Sequence, residues 1–230
     1  MWSKSISRVL AGVMFIAAAA AHAAPEMREH TIVMQTLAQK VQAFVLQGMN
    51  PSLELGVVKE RAAQYSWPKD LKGWRIGVSA PGSSTHMLVK HLLASVGLTP
   101  DDVSVIGVGT GPTAVAAVRS GRIDALSSVE PVMTLLEKAG DIRIVVETIS
   151  DKGTRDVFGG TMPAATLYAK KRFIEDNPQT VQALTNAMVR ALKWLRNASA
   201  EDVAKIVPPE YLLGDRSVYL ASFERLKATY

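Results

Sequence analysis

Between residues 75 and 138 one pattern recurs three times: a short apolar run, a turn of small residues, then apolar positions at helical spacing. The apolar runs are 75–79, 103–108 and 123–126; the helical stretches are 84–96, 112–120 and 131–138. A further apolar run follows at 142–147. Consecutive strands joined by helices must run parallel, because a parallel pair needs a long crossover connection. The repeat therefore predicts βα units around a mostly parallel sheet, with helices on its faces. Gly97 and Gly121 stop the first two helices, and Pro112 opens the second near its first turn.

The flanks read differently. Residues 43–46 and 53–58 are strand-like and are separated by Gly48-Met49-Asn50-Pro51. Residues 150–161 read as a polar, glycine-bearing connection before a strand at 164–168. From Arg172 the chain turns helical. Pro178 opens the longest helix, in which Val181, Leu184, Met188, Leu192 and Leu195 form one apolar stripe. Shorter helices are predicted at 201–206 and 217–227.

The first 23 residues have the form of a secretory signal: Lys4 and Arg8, an apolar run over 9–20, and the small-x-small site Ala21-His22-Ala23. The apolar run is short of the roughly 20 residues that a spanning helix needs. An exported, periplasmic chain is expected. Cysteine is absent, which removes disulfides, thiolate chemistry and zinc–cysteine sites. The formal charge of +5 falls to about +3 without the leader, and basic and acidic residues are interspersed. No basic stripe with interleaved aromatics appears, so nucleic acid is not an expected partner.

Ligands of open α/β sheets sit beyond the carboxyl ends of the strands. Three such ends can be read here. At the first, Ser79 and Gly82-Ser83-Ser84-Thr85 combine small hydroxyls, a close backbone approach and the positive end of a helix dipole. That chemistry suits a small anion; ordinary N-capping is the competing reading. At the second, Gly107-Val108-Gly109-Thr110-Gly111-Pro112-Thr113 departs from a dinucleotide loop in its spacing, and Thr110 and Thr113 are the candidate donors. At the third, Ser127 or Ser128 faces a ligand, while Glu130 either caps a helix or meets an amine on the solute. His86 and His91 lie five apart and do not share a helix face as a metal pair would, so no metal is expected. No G-x-S-x-G elbow is present, and no cofactor is implied. Trp67, Trp74 and Trp194 read as packing anchors.

Several stretches together resemble the substrate-binding proteins of ABC importers, in the nitrate/sulfonate/taurine branch. They are Asp70-Leu71-Lys72-Gly73, Ile76-Gly77-Val78, Ala80-Pro81-Gly82-Ser83-Ser84-Thr85, Gly121-Arg122-Ile123-Asp124-Ala125, Glu130-Pro131, Phe158-Gly159-Gly160 and the helix 177–184. The resemblance implies a type II periplasmic binding fold, α/β, with two lobes of mostly parallel sheets and the ligand between them. It also implies a monomeric, non-enzymatic receptor that delivers a small anionic solute to an ABC permease in the inner membrane. Pyrimidine-synthesising relatives of this fold are enzymes, but they use cysteine and histidine features missing here. The family's opening βαβ segment has no counterpart between the leader and Glu29. The expected organisation is therefore a signal at 1–23, a remnant of lobe 1 at 24–52, lobe 2 at 53–160 and a helical return to lobe 1 at 161–230, with the first lobe incomplete. A shortened member that no longer binds ligand is the alternative.

Overall fold

In the computed structural model the described residues are 41–212 and 215–230, so the leader-like segment and residues 24–40 lie outside them. A five-stranded sheet is built from β2 (Glu54–Val58), β3 (Arg75–Val78), β4 (Ser104–Gly107), β5 (Ala125–Ser128) and β6 (Ile142–Glu147), in the order β4-β3-β5-β2-β6. A separate antiparallel ribbon pairs β1 (Val41–Gly48) with β7 (Ala164–Lys170). The helices are α1 (Ser84–Ser95), α2 (Pro112–Arg119), α3 (Val132–Lys138), α4 (Asp151–Phe158), α5 (Lys171–Asp176), α6 (Pro178–Asn197), α7 (Ala200–Ile206) and α8 (Arg216–Leu226).

The repeat at 75–138 gives the expected parallel core, in which β3 pairs in parallel with both β4 and β5. The exception is β2, which runs antiparallel to both of its neighbours, β5 and β6. Its five residues are all buried, so it reads as a continuous apolar run rather than an alternating one, and such a run does not encode direction.

Side chains alternate across the sheet and separate two apolar clusters. Leu55, Ile76, Val78 and Ala125 pack with Leu88, Val89, Leu92 and Leu93 of α1 on one face. Val58, Leu126 and Ile142 pack with α2 and α3 on the other. A third cluster joins Val45 of the ribbon to Met188, Leu195, Val203, Tyr219 and Phe223 of the C-terminal helices. On the ribbon's opposite side, among the described residues, Leu46 is 40% and Tyr168 51% exposed.

The polar connection read at 150–161 is a correction: it contains α4. Ser150 caps that helix by accepting from the Gly153 N–H, and Gly159 ends it at φ +76°. Only Val157 and Phe158 at its last turn join the core, so the apolar period that announces a helix is missing.

At the amino end of β5, Asp124 accepts from the Arg75 backbone N–H at 2.9 Å, from Arg75 Nε at 3.0 Å and Nη2 at 2.8 Å, and from Arg61 Nε at 3.3 Å. The Arg75 hydrogen bonds hold its carboxyl down at about 2 despite burial. A lowered carboxyl stabilises the fold above its unfolded value and loses that contribution as pH falls through the folded one. Asp124→Asn is expected to cost about 1–2 kcal/mol near neutrality, because both arginines are partly exposed and screened. It should also flatten the acid loss of stability below pH 4. Urea midpoints compared at neutral and acid pH check both statements; equal acid slopes would count against the assignment.

Candidate functional site

The strand order creates a divergence. From β3 the chain passes through α1 to β4 at one edge of the sheet, whereas from β5 it passes through α3 to β6 at the other edge. Adjacent parallel strands whose connections leave to opposite sides open a crevice at their carboxyl ends. Residues 79–83 and 127–131 flank this crevice. The turn after β4 lies beside them, with Val108 N–H donating to Val78 O at 2.8 Å and Gly109 N–H to Ser79 O at 3.1 Å. All three strand ends singled out in the sequence thus meet at one edge, and the reversal of β2 adds Glu54 there.

At the start of α1 most of the small groups are spent on the turn itself. Ser83 is the N-cap and accepts from the His86 N–H at 3.3 Å. Thr85 Oγ1 accepts from the Ser79 N–H at 2.9 Å and is hydrogen-bonded to Ser79 Oγ at 2.9 Å and Ser83 Oγ at 2.8 Å. Gly82 takes φ +82°, which suits a residue without Cβ, and its N–H donates to His86 Nδ1 at 2.8 Å. The Ser83 and Thr85 side chains are buried, each 1% exposed. In the first turn of this twelve-residue helix, at its positive end, the Ser84 and Thr85 N–H groups and the Ser84 hydroxyl have no partner among the described residues.

Thr110 is partly exposed and its hydroxyl makes no hydrogen bond among the described residues, whereas Thr113 Oγ1 donates to Val108 O at 2.7 Å and braces the turn. Ser127 and Ser128 are both fully buried with unpartnered hydroxyls. The ladders tell them apart. Ser127 lies opposite Leu55, on the sheet face that α1 covers; Ser128 lies opposite Glu54, on the face that α3 covers. Glu130 takes the capping role of the two read for it: Oε2 accepts from the Thr134 N–H at 3.0 Å and Oε1 from Thr134 Oγ1 at 2.8 Å.

Three residues here were not among the sequence candidates for the site. Because His86 Nδ1 accepts from Gly82, its proton sits on Nε2, which is buried without a partner; burial and then Lys90 lower its basicity, so the ring is neutral. The other two are Glu54 and Arg225. Arg225 Nη2 donates to Glu54 Oε1 at 2.5 Å, and Nη1 lies 2.6 Å from Glu130 Oε1. A glutamate inside an apolar strand and an arginine on a helix give no local signal of contact at a separation of 171 residues. No group of three or more metal-ligating side chains occurs among the described residues.

A doubly wound sheet with a donor-lined switch point, joined to a ribbon and C-terminal helices, is the α/β fold of the periplasmic binding proteins. The family model for the NMT1-like family matches residues 6–208, and the chain belongs to that family. A solved structure from Bordetella bronchiseptica RB50 is 51% identical, with a TM-score of 0.81 over 87% of this chain and 63% of that one. The alkanesulfonate-binding protein SsuA of Xanthomonas axonopodis pv. citri, solved bound to MOPS, shares the fold at 24% identity and a TM-score of 0.56, over 80% of this chain and 58% of that one. The nitrate/nitrite binding protein NrtA of Nostoc sp. is 26% identical over 162 residues, which is 69% of this chain and 34% of NrtA. The chain spans half or less of the length of the curated relatives it matches.

Proposed function

We propose that this chain is the solute-binding component of an ABC importer, that it works in the periplasm, and that it takes a small anion of the nitrate or sulfonate type. The observation that carries this reading is the set of unpartnered donors at the switch point. Ser84 N–H, Ser84 Oγ and Thr85 N–H head α1, Thr110 follows the Gly109 turn that is hydrogen-bonded to Ser79, and Ser127 Oγ lies on the same sheet face as α1. Donors without acceptors at a helix N-terminus favour an anion and leave nothing to activate a nucleophile, so the reading is capture and not chemistry. Ser79, Gly82 and Ser83 hold the loop in shape. Ser128 and Glu130 stand on the far face. The relatives named for nitrate and alkanesulfonate support the ligand class, and their role implies a permease partner. Residues 53–160 would form one wall of the cleft, and 24–52 with 161–230 the other; the chain is proposed to work as a monomer.

Calorimetry with nitrate, taurine, alkanesulfonates and aromatic carboxylates tests this. At least one anion should bind, and Ser84→Ala with Thr110→Ala should weaken it by about tenfold to a hundredfold, the worth of hydrogen bonds to a charged group. Binding unchanged in the double variant would remove the cradle. Among the described residues the ribbon exposes Leu46 and Tyr168 on one side, which favours a second reading, a shortened member that no longer binds ligand. Silence across the whole panel, with no cooperative unfolding transition in urea, would select it.

A further inference from the structure

The C-terminal helix α8 has two attachments. Val218, Tyr219, Phe223 and Leu226 bury it against the ribbon's cluster or beside it. Arg225 points instead to the five-stranded sheet, where it meets groups from two elements. From β2 comes Glu54, with its side chain 0% exposed. From α3 and its lead-in come Glu130, also 0% exposed, Thr134, whose Oγ1 accepts from Nη1 at 2.9 Å, and Glu137, at 3.7 Å and half-exposed.

One guanidinium therefore faces three carboxyl groups. Glu130 has its oxygens met by Thr134 and Arg225, whereas Glu54 has Arg225 on Oε1 and nothing on Oε2. Among the described residues no other cation is paired with the cluster. Lys138 of α3 acts on Asp215 at the head of α8, and Glu147, opposite Glu54 on β6, is spent on the Ile149 N–H, the Ser150 N–H and Ser150 Oγ. Glu137 is half-exposed and screened by solvent, so with Glu54 protonated the guanidinium is left with one buried carboxyl to match, that of Glu130. With Glu54 ionised, the buried site holds two negative charges against one positive, a state that burial penalises heavily.

We propose that Arg225 is a latch fastening the C-terminal helix to the ligand-side edge of the sheet, and that the latch loosens when Glu54 loses its proton. Burial first, and then Glu130, push the Glu54 carboxyl up to about 8 against the opposing pull of Arg225. The cost of its charge is therefore one of burial, relieved when the helix lifts and admits water, and the native group titrates just above neutrality. A carboxyl raised in the folded state stabilises fully below its unfolded value, near 4.5, and loses that contribution as pH rises to about 8. The latch needs no bound solute, so it stands or falls separately from the receptor reading.

Hydrogen exchange without solute, corrected for the intrinsic pH dependence, compares the amides of 216–226 with those of 84–95 at about pH 6.5 and pH 9.5. Relative protection of 216–226 should fall by about tenfold or more in the native chain and stay level in Glu54→Gln. An unchanged ratio in the native chain, or the same fall in Glu54→Gln, overturns the proposal. Carbon-13 NMR titration of the glutamate carboxyls needs no substitution. One carboxyl should titrate near 8; if all titrate below about 5, the latch has no switch.

Discussion

Arg225→Met is expected to destabilise the chain by about 3–5 kcal/mol near neutral pH, the cost of removing one partner from a buried ion pair. Methionine replaces much of the apolar stem of arginine, so the loss is electrostatic and not a matter of volume. It leaves Glu130, 0% exposed, with the Thr134 hydrogen bonds but no counter-charge, beside a Glu54 that has lost its only donor. The lost charge faces Glu54, whose carboxyl burial pushes up to about 8, so the deficit should vary with pH between about 6 and 9.5. Urea unfolding of both proteins at several pH values measures this. A deficit below about 1 kcal/mol, or one that does not vary with pH, would mean that the pair is already solvated.

Phe223→Ala is expected to cost a similar amount, about 3–5 kcal/mol, by a different route. Phe223 is 1% exposed and is the largest fully buried side chain of the described residues. It sits among Val45, Met188, Leu195, Val203 and Tyr219, drawn from the ribbon and from three helices. A cavity there cannot close without moving several elements at once. Having no charge to lose, this deficit should be the same at pH 5 and pH 8. The two substitutions detach one helix from two different bodies, so the doubly substituted chain should lose less than the sum. Once the helix is free, the second anchor has nothing left to hold. A double-mutant cycle by urea unfolding tests that, and strict additivity would show two independent attachments.

The parallel core was legible because its signals are local. The Ser84 helix with Gly97 after it, the Pro112 helix with Gly121 after it and the strand at 142–147 each carry their own period and punctuation. Helix α4 was not legible, since Asp151-Lys152-Gly153-Thr154 reads as a polar loop; the Ser150 cap and Gly159 were its only signals. At the site, the sequence located the three strand ends but could not say which hydroxyls the turn would consume. Ser83 and Thr85 are taken by local hydrogen bonds, and Ser84, identical in type to Ser83, is left free. Choosing between Ser127 and Ser128 needed the register of β2 against β5. Glu54 and Arg225 required tertiary pairing, which no local pattern encodes.

The reversal of β2 also sets an order of assembly. Its neighbours β5 and β6 lie roughly 70 and 85 residues further along the chain, so neither ladder can form until long loops have closed. The unit from β3 through β5 closes shorter loops: β4 returns beside β3 after the α1 crossover, and β5 then joins the other side of β3 after α2. Folding should therefore be limited by seating β2, and substitutions within it should slow refolding more than equally costly ones in α1. Of the five strands in this sheet, the one synthesised first has to wait for the one synthesised last.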